Sequence, residues 1–237
     1  MTRALVIVPT LNERENLPRL VDALMALPDV RMLIVDDGSP DGTGAVADEL
    51  AGGFAGRVEV MHRTGRRGLG RSYVDGMKRA VLEDVDLICH MDADFSHDPR
   101  DLPRLIAAAG NADLVIGARY VPGGRVVEWP LRRQILSRFA NLYVHLVTRL
   151  TARDCTSGFR CWRREALAAM PLDTIMSDGY SFMIEMLFLA EQRRYRIVEV
   201  PITFVERQRG ESKLSKAVLV ESAITPWRLA ATRGRAR

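Results

Sequence analysis

Over the first 120 residues, short apolar runs alternate with helical patterns, and this alternation constrains the fold more than any other feature of the chain. The runs at 4–8, 32–35, 58–61, 87–91 and 114–118 read as strands. Between them, residues 14–27, 43–50, 72–83 and 102–109 carry helical spacing, the last behind Pro99 and Pro103. Strands that alternate with helices build right-handed βαβ units, so the expected class is α/β: a mostly parallel, Rossmann-like central sheet flanked by helices. Ligands on such sheets bind beyond the carboxyl ends of the strands. The polar signals sit at those ends: PTLNE after the first run, DDGSPDGT after the second, DADFSHDP after the fourth and GARY after the fifth. Four polar termini on one rim make a site where one alone would not.

After Tyr120 the pattern changes to a Gly-rich loop, a long basic helical stretch, DCTSGFR, another helix, a strand at 197–203 and a polar loop. With no repeat, low-complexity tract or linker, the 237 residues read as one domain. A net charge of +4 is too slight to imply a nucleic-acid partner; the bunching of Arg at 125–138, 149–164, 193–209 and 228–237 matters more. Cys89, Cys155 and Cys161 show no metal or redox spacing and read as free thiols in a reducing compartment. The first apolar run is too short for the core of a signal peptide. No run approaches the ~20 apolar residues of a membrane span, so any membrane would be met from its surface.

DADFSHDP carries the sharpest chemistry. If the strand continued through it, Asp92 and Asp94 would point to one side of the sheet as ionised neighbours. Like charges at that range raise each other's pKa unless a cation sits between them. A hard divalent ion, Mg²⁺ or Mn²⁺, takes one or two carboxylates and completes its shell with substrate phosphates and water. Helix capping explains Asp98, with Pro99 just after it, but not the pair ahead of it. His97 reads as a solvated loop residue.

Other stretches keep two readings. Asp36 and Asp37 end the second strand and suit a ribose or a base edge, while Ser39, Asp41 and Thr43 offer helix caps nearby. GRRGLG at 65–70 lacks the spacing of a dinucleotide fingerprint and reads as a turn into a helix at Ser72. Residues 130–150 place apolar groups at 131, 135, 139, 142, 143, 146, 147 and 150 beside Arg132, Arg133, Arg138 and Arg149. That is an amphipathic helix, either lying in a headgroup layer with Trp129 at its start or packed on the core with a basic edge. In the loop at 204–215, Arg207 and Lys213 are charge partners for a diphosphate or simply solvated. The tail from 224 onward is a frayed end or a membrane-surface contact.

Taken in order, VPTLNERENL, VDDGSPDGT, GLGRSYVDGMK, MDADFSHDP, GARYVPGG, RRQILSRFAN, TSGFRCWRR, DGYSFMIEM and VPITFVERQRGESKLS resemble the polyprenol-phosphate mannosyltransferases, also called dolichyl-phosphate mannose synthases. These belong to a large inverting glycosyltransferase family with the GT-A fold, and the likeness covers nearly the whole chain. The resemblance implies a nucleotide-sugar half at 1–120, an acceptor half at 121–215 and a basic C-terminal helix or tail at 216–237, with amphipathic interfacial helices. It implies nucleotide contacts from Pro9, Glu13, Val35, Asp36, Asp37, Asp92, Ala93, Asp94, Arg119, Arg207 and Lys213. It places the metal on Asp92 and Asp94, and the acceptor phosphate on Arg119, Arg133 and Ser137. Asp92, Asp94 and Arg119 are thereby the catalytic candidates. Relatives often carry an aromatic residue where Leu11 stands and Gln where Ser96 stands.

The implied activity moves mannose from GDP-mannose to a polyprenyl phosphate with Mg²⁺ or Mn²⁺, on the cytoplasmic face of a membrane as a peripheral protein. The near alternative is glucose from UDP-glucose, and the non-catalytic alternative is a nucleotide- or lipid-surface-binding protein of this fold. Some relatives add transmembrane helices after this domain. The chain resembles the form without them, which leaves room for a separate membrane-anchoring partner.

Overall fold

The computed structural model describes residues 2–206 and 216–233, apart from the side chains of Tyr180 and of residues 216–219. A seven-stranded sheet runs in the order β3-β2-β1-β4-β7-β5-β8. Its strands are β1 (Ala4–Thr10), β2 (Val30–Asp36), β3 (Val58–His62), β4 (Leu87–His90), β5 (Leu114–Ala118), β7 (Arg160–Arg163) and β8 (Ile197–Pro201). Neighbours are parallel except β7, which runs antiparallel between β4 and β5. A second sheet pairs β6 (Arg125–Val127) with β9 (Thr203–Val205). The helices are α1 (Leu17–Met25), α2 (Thr43–Gly53), α3 (Leu69–Ala80), α4 (Leu102–Ala108), α5 (Leu131–Thr148), α6 (Arg164–Ala168), α7 (Gly179–Gln192) and α8 (Lys216–Thr232).

Strand β1 is buried along its whole length, and its side chains divide between two cores as a pleat requires. Leu5 and Ile7 join Leu33, Val35, Tyr73, Met77 and Phe182 on one face. Val6 and Val8 join Met32, Ile34, Leu17, Leu20 and Leu24 on the other. A sheet covered on both faces needs near-continuous apolar strands, which explains why LVIV, MLIV and LVIGA lack alternation.

Three stretches depart from the sequence reading. TSGFRCWRR contains β7, which its arginines conceal. The Arg160 guanidinium is fully buried and donates to the carbonyls of Ser157, Met183 and Cys155, so main-chain acceptors satisfy it where, among the described residues, no carboxylate pairs with it. Burial brings its pKa down to about 10. The single strand expected at 197–203 is two: β8 pairs with β5, and after Ile202 the chain passes to β6 as β9. GRRGLG ends earlier than expected, since α3 already begins at Leu69.

Helix α5 answers the question its sequence left open. Its core side carries Asn141, Val144 and Thr148, while Leu131, Ile135, Leu136, Phe139, Leu142 and Leu146 are exposed. The apolar stripe therefore faces outward, with Phe139 63% accessible. Helix α8 packs alongside, tied by the Tyr143 hydroxyl to the Ala223 carbonyl, and extends the stripe with Val220, Ile224 and Trp227. Exposed large apolar side chains in such number on two neighbouring helices are the kind of surface that marks an interaction face. Among the described residues no helix is long and apolar enough to cross a membrane.

Candidate active site

The first two strand ends form one wall. Pro9 sits opposite Val35 in the parallel register, which puts Thr10 opposite Asp36. Asp36 accepts from Thr10 Oγ1 (3.3 Å), Ser39 N (3.2 Å) and Ser39 Oγ (2.5 Å). Asp37 accepts from the Gly68 amide at 2.8 Å and pairs with Arg63, which reaches on to Asp75 at 2.7 Å. Both aspartates are buried inside this network. Glu13 is buried too and accepts from Asn16 Nδ2 at 2.8 Å, while its own amide donates to Thr43 Oγ1 at 2.9 Å. Asp41, accepting from Thr43 N at 3.0 Å, organises the entry to α2, where Gly42 takes φ +90°. The expected helix caps are not borne out: Gly42 is the N-cap of α2, with no side-chain capping bond, and Ser39 donates to Asp36 instead.

Strand β4 ends at His90, so Asp92 and Asp94 lie on the loop beyond it, and strand alternation does not align them. That loop turns with Phe95 in the left-handed region at φ +61°. The Asp92 side chain is 33% exposed; Asp94 is 7% exposed. The Tyr73 hydroxyl donates to Asp92 Oδ1 at 3.0 Å. Asp94 Oδ1 accepts from Ser96 Oγ (2.5 Å) and Ser96 N (3.1 Å), so Ser96 serves the aspartate directly. The charges of both carboxylates bear on the buried His97 ring, opposing the effect of its burial.

His97 is not solvated. It is 1% exposed, wedged against Phe159 and Phe204, and its Nδ1 accepts from the Asp92 amide at 3.2 Å. Burial lowers its pKa against the opposing pull of Asp92 and Asp94. The neutral ring then carries its proton on Nε2, a buried nitrogen with no partner among the described residues. An apolar pocket captured what looked like a loop residue. Asp98 behaves as expected, capping the turn at Pro99–Asp101 through the Arg100 amide.

The donor set fits a hard cation. Among the described residues no group of three or more His, Cys, Asp or Glu side chains could enclose a metal. Two carboxylates with an open remainder match an ion that completes its shell with substrate oxygens. Gly158 lies beside Asp92: a Cβ there would stand at ordinary contact distance, 3.5 and 3.6 Å, from its two carboxylate oxygens.

Arg119 is locked to Asp154. Its Nε and Nη2 donate to the carboxylate at 2.8 and 2.7 Å, its amide donates at 2.9 Å, and Nη2 also reaches Thr156 Oγ1 at 2.7 Å. Burial alone would raise the Asp154 pKa, but the Arg119 charge and hydrogen bonds hold it below the usual carboxylate range. Ser137 accepts from the Tyr120 hydroxyl at 2.7 Å. Arg133 lies 4.0 Å over the Trp129 ring and pairs with Glu206. Phe204 joins these parts: its ring lies 5.2 Å from His97, 5.2 Å from the Arg119 guanidinium and 5.3 Å from Trp129. A recess of about 430 Å³ opens beside Tyr120, lined by Arg119, Arg138, Asn141, His145 and Arg153.

Contacts through His97, Phe204, Trp129 and Tyr120 link Asp92 to Arg119, Arg133 and Ser137, while Pro9, Glu13, Val35, Asp36 and Asp37 lie at or just beyond the ends of β1 and β2. Ala93 is buried between the two aspartates. Arg207 and Lys213 lie outside the described residues. Sequence reasoning missed Tyr73, Asp154, Phe204 and Glu206. Each acts through a partner distant in the chain, and their only signal was membership in motifs quoted for other residues.

The chain is 46% identical over 239 residues to a polyprenol monophosphomannose synthase of Mycolicibacterium smegmatis, covering 99% of this chain and 90% of that protein. It is also 46% identical over 232 residues to an undecaprenyl-phosphate mannosyltransferase of Micrococcus luteus, covering 97% and 95%. Among solved structures, a Mycobacterium tuberculosis glucosyl-3-phosphoglycerate synthase with Mn²⁺, UDP and phosphoglyceric acid superposes with a TM-score of 0.72 at 19% identity, over 97% of this chain and 78% of that one. The mannosyltransferase PcManGT of Pyrobaculum calidifontis, with GDP-Man and Mn²⁺, gives 0.57 at 18% identity, over 97% and 73%. These two share the fold, a GT-A sheet flanked by helices. The pattern described as Glycosyl transferase family 2 matches residues 5–170, and with the strand-end carboxylates and the near full-length relatives it establishes that this chain belongs to that family.

Proposed function

We propose that this chain transfers mannose from GDP-mannose to a polyprenyl monophosphate, inverting the anomeric carbon. One observation carries the reading. The Asp92–Asp94 loop connects through Phe204 to Arg119, Trp129 and Arg133, beside a helix whose apolar face is turned outward. A polar donor and a lipid-borne phosphate need such a junction. The names of the two relatives support the same donor sugar and acceptor class.

The acceptor is itself the nucleophile. A phosphate monoester has a second pKa of about 6, so it is largely deprotonated at neutral pH and requires no general base. His97, neutral and buried, is not needed as one. An acceptor oxygen bonds to the anomeric carbon as the bond from that carbon to the diphosphate breaks, releasing GDP. Arg133 and Ser137 on α5 hold the incoming phosphate, and Arg119, fixed by Asp154, offsets its repulsion by the diphosphate. Asp92 and Asp94 would hold Mg²⁺ or Mn²⁺, which when bound neutralises the developing charge on the leaving group. Arg207 and Lys213 are assigned to the same diphosphate. The stripe on α5 and α8, edged by Arg132, Arg138 and Arg149, seats the protein on a membrane surface at headgroup depth. Three buried free thiols suit the cytoplasmic face.

The test is one incubation with labelled GDP-mannose, a polyprenyl phosphate and Mg²⁺ or Mn²⁺, with and without chelator, and with UDP-glucose as competitor. Metal-dependent labelled lipid, unaffected by UDP-glucose, is expected; absence of sugar transfer overturns the reading. Arg133→Ala should raise the acceptor KM roughly 10- to 100-fold, the loss of a charge-assisted contact of about 1.5–3 kcal/mol, with GDP-mannose affinity unchanged. Equal effects on both substrates would refute that assignment. Changing Ile135 and Phe139 together to Asp should abolish co-sedimentation with anionic vesicles while leaving turnover of a short, soluble acceptor near wild type.

A further inference from the structure

We infer that Tyr73 is a positioning residue that orients Asp92 for the divalent ion; this rests on the reading that Asp92 and Asp94 hold that ion. Tyr73 projects from α3 into the apolar core between the sheet and α7. Its ring is fully buried, stacked on Phe182 at 5.6 Å and tilted against His90 at 4.8 Å. A phenol is costly in such a place unless its hydroxyl is satisfied, and a phenylalanine would fill the space without that cost. The hydroxyl ends at Asp92 Oδ1, 3.0 Å away. A phenol's ordinary pKa of about 10 leaves it protonated, and so a donor, at neutral pH.

The arrangement at Asp94 is parallel. There Ser96 Oγ donates to Oδ1 from two residues on, whereas Asp92 recruits its hydroxyl from another element. The Asp92 amide is fixed as well, by His97 Nδ1. Asp92 is the more exposed of the two aspartates and stands on a loop, where an unrestrained carboxylate would lose rotamer freedom on binding a metal.

Helix α3 is a rigid base for this contact. Its first turn donates Gly68 N to Asp37 and Gly70 N to Asp178, both at 2.8 Å. Gly76 packs so closely on β1 that an added Cβ would stand 2.7 Å from Ile7 Cγ2. The helix is held at both points and cannot slide, so the Tyr73 hydroxyl arrives in one place. Partners behind a metal ligand that fix its orientation are worth roughly 10–100-fold in metal affinity.

The test compares wild type, Tyr73→Phe and Asp94→Asn by titrating Mn²⁺ into each protein with GDP present, alongside thermal melting and turnover. Tyr73→Phe should raise the Mn²⁺ Kd roughly 10–100-fold with little change in melting, and excess Mn²⁺ should restore its turnover. In an Asp92→Asn background, Tyr73→Phe should add nothing further. Unchanged Mn²⁺ affinity in Tyr73→Phe overturns the assignment when Asp94→Asn does lose binding. If Asp94→Asn binds like wild type, the metal reading itself has failed. A Tyr73→Phe protein that no longer folds, or whose lost turnover excess metal does not restore, also overturns it, because the hydroxyl then serves the core and not Asp92.

Discussion

Asp94→Asn lowers turnover by roughly 10²–10⁴-fold and leaves the protein folded. Charge neutralisation by a bound ion is worth several kcal/mol in the transition state, and each 1.36 kcal/mol is about tenfold in rate. Asparagine keeps the shape of the side chain, and its carbonyl oxygen can still accept from Ser96 N and Ser96 Oγ, the bonds that shape the loop. What it loses is the anionic charge. The change should therefore appear in kcat and in Mn²⁺ affinity, with circular dichroism and the melting midpoint unmoved. Wild-type turnover in this variant would remove the metal from the mechanism.

Asp154→Ala is the largest expected loss of stability. Asp154 is wholly buried and takes hydrogen bonds from the Arg119 amide and from two nitrogens of its guanidinium. Removing one partner of a buried pair strands the other charge and costs about 3–5 kcal/mol. For a chain of this size that is a fall of roughly 6–20 °C in melting temperature. The pH dependence has a definite sign. The folded-state pKa of Asp154 is depressed, so its contribution is present above the unfolded value of about 3.9 and is lost as pH falls through the lower folded value. Wild type should lose this part of its stability in acid, and Asp154→Ala should show a flatter acid limb. An unchanged melting temperature would mean that Arg119 finds another partner.

The candidate site was legible where function demands an unusual residue at a strand end. Paired acids after β4 and after β2, and a cation after β5, stood out because buried apolar runs rarely stop on charge. The groups that hold them did not stand out. Tyr73 looks like one more apolar residue of α3, and Asp154 like one more polar loop residue. His97 was misread because a histidine among Ser, Asp and Pro gives no sign that Phe159 and Phe204 will close over it. Strand β7 was hidden for the same reason: Arg160 reads as surface until the main-chain carbonyls of Cys155, Ser157 and Met183 are seen to satisfy it.

Local pattern alone pointed to a mostly parallel sheet, to the rim at its strand ends and to Asp36, Asp37, Asp92 and Asp94 as candidates there, because strand periodicity and strand-end polarity are properties of neighbours in the chain. Three matters waited on the folded chain: which hydroxyl steadies each aspartate, whether Arg119 stands alone or beside Asp154, and which way the apolar stripe of α5 faces. The Tyr73–Asp92 and Arg119–Asp154 contacts join segments well separated in the chain, and an amphipathic helix has the same periodicity whether its greasy side meets a core or the outside. Only packing decides that, and here the core took Asn141, Val144 and Thr148 and left the leucines outside.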